Sequence, residues 1–290
     1  MDNRMSILSR LNGATLWAIR PEAALAALVT LMQGETATKW EAAKPSMLGK
    51  GENKLAVIPI QGVLSNDGPA WYGSNYQTIA NAAEAAANDP SVKRVVLAID
   101  SPGGEVMGCA EAGAVLAQLA KVKPVSTMVE GQCASAALWL GSQANDITIT
   151  PSGEIGSVGV RMMHADVSKM LDDYGIKITE LYSGNYKTEF SPYAPLTEDA
   201  KTNMQPRLEA THQSFIDAVA AGRGNRPTAD LVANRFGEGR MFTANAAMAN
   251  GFADKIQAPR DFYRDMMPAA ETAPAFGLPR ASVEVARHRV

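Results

Sequence analysis

Cysteine is scarce in this 290-residue chain, with Cys109 and Cys133 the only two. There is therefore no disulfide framework and no thiolate metal pattern to read, and the pair suits a reducing compartment. Histidine is nearly as rare, at three residues. The two in the body of the chain, His164 and His212, stand in unremarkable contexts, so a histidine-based triad lacks an evident base. Charge of one sign is not in excess: 27 Lys and Arg face 30 Asp and Glu, for a formal charge of −3. Without a basic field, nucleic acid is not an expected partner. Long apolar runs are missing too. The most apolar stretch, Ala23 to Met32, is too short to span a bilayer. With Pro21 in its first turn and Gly34 beyond its end it reads as a capped helix. Arg4, Arg10 and Arg20 are too scattered for a secretory leader, and no small-x-small cleavage site comes after them. No stable membrane insertion is expected.

What is present is enough apolar residue, 46% of the chain, to bury a full core. The organisation reads as an N-terminal helical extension and linker over 1–50, one domain over 51–258, and a mobile Ala- and Pro-rich tail over 259–290. The linker is the Lys44 to Gly51 stretch. Within the domain, strand-like runs (Lys54 to Ile60, Val92 to Ile99, Pro124 to Val129, Asp146 to Thr150, Lys177 to Tyr182) alternate with helical patterns (Tyr76 to Asn88, Glu105 to Leu119, Ser135 to about Gly141). Asp89-Pro90 stops the first helix. A long helical pattern runs from Thr197 to Ala221, with Pro206 expected to kink it or mark its start. His212 lies near its apolar stripe as a structural residue. The alternation implies an α/β fold with parallel strands and right-handed crossovers.

The chemistry-bearing pattern is Gly131-Gln-Cys-Ala-Ser135-Ala-Ala, with Ser183-Gly-Asn-Tyr-Lys187 placing a lysine 52 residues after the serine. A serine hydroxyl needs a neighbouring base, and a lysine can supply it once neutral. The ordinary lysine pKa of about 10.4 means that a site holding the amine neutral near pH 7 works against about 4 kcal/mol, which apolar burial can provide. Each residue alone is ordinary: most such serines pack and most such lysines are solvated. A third segment, Ile99-Asp-Ser-Pro-Gly-Gly104-Glu-Val106, ends a buried strand in a Pro-Gly-Gly turn that leaves backbone N–H groups open. Those donors, with the N–H of Ala136, suit an oxyanion hole, although an ordinary strand-to-helix turn would read the same way. Cys133 is an alternative nucleophile without a placed histidine and reads better as a small buried thiol. His164 reads as a substrate-groove or packing residue.

Taken in order, Asp100-Ser-Pro-Gly-Gly104, Ala134-Ser135-Ala136, Gly153-Glu-Ile-Gly-Ser157-Val-Gly-Val160, Tyr182-Ser-Gly-Asn-Tyr-Lys187 and Phe242 to Asp254 resemble the signal peptide peptidase A family of serine proteases. More narrowly, they resemble its bacteriophage branch of capsid assembly (prohead maturation) proteases. The resemblance runs from about Lys54 to about Ile256. It implies the spiral fold of repeated strand–strand–helix units shared by Clp-type proteases and crotonases. It also implies Ser135 as nucleophile, Lys187 as general base, Ser157 as the residue aiming the lysine, and the N–H groups of Gly104 and Ala136 as oxyanion donors. Where many cellular members read Ser-Gly-Gly at the nucleophile, this chain has Ser135-Ala136-Ala137, which should tighten the adjoining pocket.

The resulting expectation is a Ser–Lys endopeptidase that needs no metal or organic cofactor and favours small side chains beside the scissile bond. By resemblance it is a homo-oligomer in the host cytoplasm, inside the immature capsid, where it processes scaffold protein, and itself in one reading, with scaffold and capsid proteins as partners. A cellular signal-peptide peptidase, a crotonase-type acyl-CoA enzyme and a non-catalytic scaffold-binding module are the alternatives. They would differ in location, in thioester binding and in tolerance to loss of Ser135.

Overall fold

The computed structural model describes residues 16–19, 44–66, 73–224, 227–236 and 238–267. Its centre is a parallel set of four strands: β3 (Lys54–Gln61), β4 (Val92–Ser101), β6 (Val125–Ala134) and β7 (Asp146–Ile149). These are the apolar runs of the sequence, and Ile58, Ile60, Val95, Val96, Leu97, Ile99, Met128 and Ile147 are all buried, as expected for strands covered on both faces. The edges differ in kind. On one side β2 (Ser46–Leu48) pairs antiparallel with β3, and on the other the two-residue β10 (Lys255–Ile256) pairs parallel with β7. β2 lies within the stretch expected to be a linker.

Two helices cover one face. α1 (Tyr76–Asn88) begins where Asn75 Oδ1 accepts the Thr78 N–H at 2.7 Å and ends at Asp89, with the boundaries expected from its cap and from Asp89-Pro90. α2 (Cys109–Val122) starts later than expected. The residues before it, Gly103–Glu105, form a short strand, β5, which pairs antiparallel with β1 (Trp17–Ile19). β4–β5–α2 is thus one strand–strand–helix turn of the kind expected. β6 runs directly into α3 (Ala136–Gly141). β8 (Glu154–Gly156) extends the sheet beside the far end of β6, and β9 (Met241–Thr243) pairs with β8.

α3 is wholly buried. A β-carbon at Gly141 would stand 2.8 Å from Ile99 Cδ1, and Thr127 Oγ1 donates to the Gly141 carbonyl at 2.9 Å, so this short helix lies tight on the sheet. Trp139 stacks on Phe215 with ring centroids 5.0 Å apart. Phe215 belongs to α5 (Glu198–Gly222), which comes after the exposed one-and-a-half turns of α4 (Ser168–Asp173). α5 begins at its Thr197 cap and runs without interruption through Pro206, so Pro206 is not its start. Its last turn is fastened by Arg223, fully buried, whose Nη2 donates to Asp254 Oδ2 at 2.6 Å.

Three short elements complete the chain: α6 (Ala229–Leu231) with a π-helical turn (Val232–Phe236), and α7 (Ala244–Ala249), which leads back to β10. Residues 259–266, expected in the tail, instead form α8 (Pro259–Met266), whose Phe262 packs with Leu55, Val96 and Met128 on the opposite face of the sheet. The expected strand over Lys177 to Tyr182 does not form; that segment is irregular and exposed. The helix expected over Ala23 to Met32 and the tail from 268 onward lie outside the described residues.

Candidate active site

β6 is not a regular strand. Its pairing with β4 passes from Ile99↔Val129 to Ser101↔Cys133, so Glu130, Gly131 and Gln132 stand opposite the single residue Asp100. Asp100 fills the irregularity: its Oδ1 accepts the Gln132 N–H at 3.1 Å, and a β-carbon at Gly131 would lie 2.6 Å from the same oxygen. A bulge of this kind bends a strand and re-aims the residues beyond it, here Ala134 and Ser135.

Ser135 caps α3 with φ 54° and ψ −121°, a conformation unfavourable for a residue with a β-carbon. It is fixed there from both sides, its N–H donating to Gly156 O at 2.8 Å and its carbonyl accepting from Trp139 N at 3.0 Å. Among the described residues only two non-glycine residues have positive φ, Ser135 and Ser157 (φ 57°). Such strain persists where surrounding structure over-determines it, and it concentrates at functional sites. Ser157 comes directly after Gly156 at the end of β8, whose register places Gly156 beside Ala134, and its N–H donates to Arg240 O at 2.7 Å. Both serines are buried, Ser135 at 1% exposure, and among the described residues Ser135 Oγ has no hydrogen-bond partner. A buried hydroxyl left unpaired calls for a reason.

The Pro-Gly-Gly turn sits against this serine. Gly103 has φ 96°, and a β-carbon there would stand 2.8 Å from Ser135 Cβ and collide with Ala18 O. At Gly104 a β-carbon would collide with the Leu64 backbone. Ser101 sets the turn from within, its Oγ accepting the Gly103 N–H at 3.1 Å while donating to Gly62 O at 2.7 Å. On the other side, Ser135 makes no side-chain cap bond to the first turn of α3, where Ala136 is the first residue. Gly103 and Gly156 thus lie against Ser135, with Gly104, Ala136 and Ser157 as the next residues in the chain.

Lys187 is not among them. It is exposed, within an irregular segment running from Tyr174 to Leu196, and no bond joins it to Ser135. That segment and the helix α4 before it carry much of the exposed apolar surface of the described chain, including Leu181 at 94%, Tyr174 at 78% and Tyr186 at 66%. Its base is strapped down by Val167 N donating to Pro192 O at 2.8 Å and by His164 Nε2 against Ala194 O at 3.1 Å. His164 is therefore tied to the segment that carries Lys187. Neither it nor His212 hydrogen-bonds Ser135. Cys133 is fully buried with Sγ close to Gly141, and desolvation pushes its thiol upward. Cys109 is likewise pushed up by burial, to about 12. Burial of this kind disfavours the thiolate at both positions.

Sequence reasoning missed three contributors. Ser101 and the Asp100–Gly131 pairing lie inside the quoted motifs, where a turn and a strand offered no cue to their hydrogen bonds. The third is Leu16–Ile19, which lies alongside the Pro-Gly-Gly strand although nothing in the first fifty residues suggested a strand.

Among curated proteins, capsid assembly protease C of Escherichia phage lambda is 31% identical over 208 residues, 70% of this chain and 46% of that protein. Head-tail preconnector protein GP5 of Enterobacteria phage P21 is 29% identical over 217 residues, 73% of this chain and 42% of that protein. A putative signal peptide peptidase of Enterococcus faecium is 26% identical over 213 residues, covering 72% and 61%. The chain thus spans about half the length of the curated relatives it matches. Solved structures that align include the 1510-N membrane-bound stomatin-specific protease in complex with a substrate peptide, at 16% identity, TM-score 0.47, and coverage of 76% of this chain and 81% of that one. A ClpP1 from Listeria monocytogenes aligns at 12% identity and TM-score 0.43, covering 70% and 92%. The profile of peptidase family S49 matches residues 117–273, a span that holds Ser135, Ser157 and Lys187, and the chain belongs to that family.

Proposed function

We propose that this chain is a serine endopeptidase in which Ser135 attacks the substrate carbonyl and Lys187 serves as its base. The observation that carries the reading is the state of Ser135: strained, buried, with its hydroxyl unpaired, between a Gly-Gly strand and the first turn of a helix. In the reaction Oγ bonds to the carbonyl carbon while its proton passes to the Lys187 amine. The oxyanion is received by the N–H groups of Gly104 and Ala136. Collapse of the tetrahedral intermediate breaks the C–N bond, the lysine returns the proton to the leaving amine, and water hydrolyses the acyl-enzyme by the same route in reverse. Ser157 is assigned to aim the lysine. Its strained backbone, directly after the Gly156 that pairs with Ala134, supports a fixed role there.

For this chemistry Lys187 must come to Ser135. The segment that bears it exposes Leu181, Tyr182 and Tyr186, a surface of the kind that closes against protein. We assign that closure to a homo-oligomer, in which burial would also lower the lysine's pKa. The substrate assignment rests on the relatives named as a capsid assembly protease and a head-tail preconnector protein. It is scaffold protein, with capsid proteins as partners, in an immature virion in the host cytoplasm. The test is to incubate wild type, Ser135→Ala and Lys187→Ala with a proteome-derived peptide library and read new termini by mass spectrometry. Cleavage lost in both variants, with folding intact by circular dichroism, supports the dyad. Cleavage retained by Lys187→Ala removes the lysine from the mechanism, and cleavage retained by Ser135→Ala removes the serine.

A further inference from the structure

β1 occupies a place that has two rails. On one side Val106 N donates to Leu16 O at 3.0 Å, and the register pairs Ala18 with Gly104. On the other, Trp17 and Arg161 exchange both backbone bonds, at 2.8 and 2.9 Å. In an antiparallel ladder bonded pairs alternate. With Leu16 and Val106 bonded, the next bonded pair is Ala18 with Gly104, so the Gly104 N–H is directed at the Ala18 carbonyl. The opposite edge of β5 is already taken by Leu64, which bonds Gly103 O and Glu105 N at 2.9 Å. The Ala18 carbonyl oxygen also lies on the flank of Gly103 that faces Ser135 Cβ. Leu16, Trp17 and Ala18 are buried at 7%, 6% and 1%.

A three-residue strand held on both sides by backbone bonds, with one carbonyl beside the nucleophile and before an oxyanion donor, has the disposition of an extended peptide added to open strand edges. We propose that Leu16–Ile19 is an internal occupant of the substrate cleft, bound as a substrate would be with Ala18 at the acyl position, and that it holds the isolated chain latent. This rests on the assignment of Ser135 as nucleophile. It accounts together for the burial of Ser135, its unpaired hydroxyl and the absence of Lys187 from its side. It also deepens the substrate class: an extended segment with an alanine-sized residue before the scissile bond, since Ala18 is buried at 1% exposure.

The test uses the full chain as wild type, Trp17→Asp and Ala18→Pro, with Ser135→Ala as the control. The first substitution places a charge where Trp17 is buried, and the second removes the Ala18 N–H from the ladder. Each protein is treated with a fluorophosphonate, which forms an Oγ–P bond with loss of fluoride, and the rate of adduct formation is tracked by intact mass. Access scales with the fraction of molecules whose cleft is open, so release should raise the rate about tenfold or more. Equal rates in wild type and both variants overturn the proposal.

Hydrogen exchange at the Gly104, Val106 and Arg161 amides, which face β1, gives a readout free of serine chemistry. Both variants should exchange faster there. A synthetic nonapeptide spanning Gly13–Pro21 should restore protection in trans, and the same peptide with tryptophan at the Ala18 position should not. If the first peptide restores nothing, β1 is a structural strand and the proposal fails. If protection is restored but no chain is labelled, the cleft stands as a peptide site and the assignment of Ser135 falls instead.

Discussion

Replacing Asp254 by asparagine should cost more stability than replacing Arg223 by methionine, although the two side chains form one ion pair. The pair is unequal: the Arg223 side chain is fully buried, while that of Asp254 is 26% exposed. Asp254→Asn leaves a permanently charged guanidinium in the interior. Breaking a buried pair from one side in this way costs about 3–5 kcal/mol, because a guanidinium cannot shed its charge. The asparagine oxygen can still accept the Ile147 N–H that Asp254 Oδ2 takes at 2.8 Å, so the loss reports the ion pair and not the strand contact. Arg223→Met keeps the volume and leaves a carboxylate that water already reaches, and its cost should be about 1–2 kcal/mol. The double variant should then sit close to Arg223→Met, the pair coupling strongly in a double-mutant cycle. Equilibrium urea unfolding, monitored by tryptophan fluorescence and by far-ultraviolet circular dichroism to check that the transitions coincide, measures all four proteins. An Arg223→Met loss equal to or above that of Asp254→Asn would refute the reasoning from burial.

If Gly104 is the oxyanion donor proposed above, Gly104→Ala should lower turnover of a cleaved peptide by about 10²–10³, because the new methyl meets the Leu64 backbone and displaces the strand; steady-state kinetics near wild-type values would contradict it. Phe215→Ala should cost about 3–5 kcal/mol in urea unfolding, since it empties the stack on Trp139 beneath α3. Glu130 is raised above its ordinary range, first by burial, against which the Tyr263 hydroxyl, donating at 2.9 Å, acts to lower it. A carboxyl raised on folding adds stability that is complete below its unfolded pKa of about 4.3 and is lost as pH rises through the folded value. Tyr263→Phe removes the lowering influence, so its destabilisation should be larger at pH 7 than at pH 4.5. A loss independent of pH would detach Glu130 from the effect.

The elements that were legible are those whose signals are local. Asn75 and Asp89-Pro90 bracket α1, and the apolar run from Val95 to Ile99 could only be a strand buried on both sides. Ser135 was legible as the junction of a strand with an Ala-rich helix. The elements that were not legible owe their existence to a partner. β5 and β8 are three residues each and contain glycine, so propensity opposes them, and pairing with β1, β6 and β9 makes them strands. The reverse holds for Lys177 to Tyr182. Its β-branched and apolar residues Ile178, Thr179, Leu181 and Tyr182 look like a strand, but among the described residues no neighbouring edge receives it, and it stays irregular and exposed. The position of Lys187 was unreadable for the same reason, because spacing along the chain permits an encounter with Ser135 without fixing one. Pro206 misleads as a boundary signal. A proline in an exposed turn of a 25-residue helix, capped at Thr197 and packed through Phe215, Ile216 and Val219, does not end it.

The bond from Ser135 N to Gly156 O also bears on the order of folding. It joins the end of β6 to the end of β8, a strand that comes after β3, β4, β6 and β7 in the chain and pairs back onto β6. Pairings of this non-local kind are the slow, late events of folding. A chain still emerging from the ribosome, or caught half-assembled, therefore has Ser135 but not the backbone that strains it. On the proposal that Ser135 is the nucleophile, the site is complete only once β8 is in place.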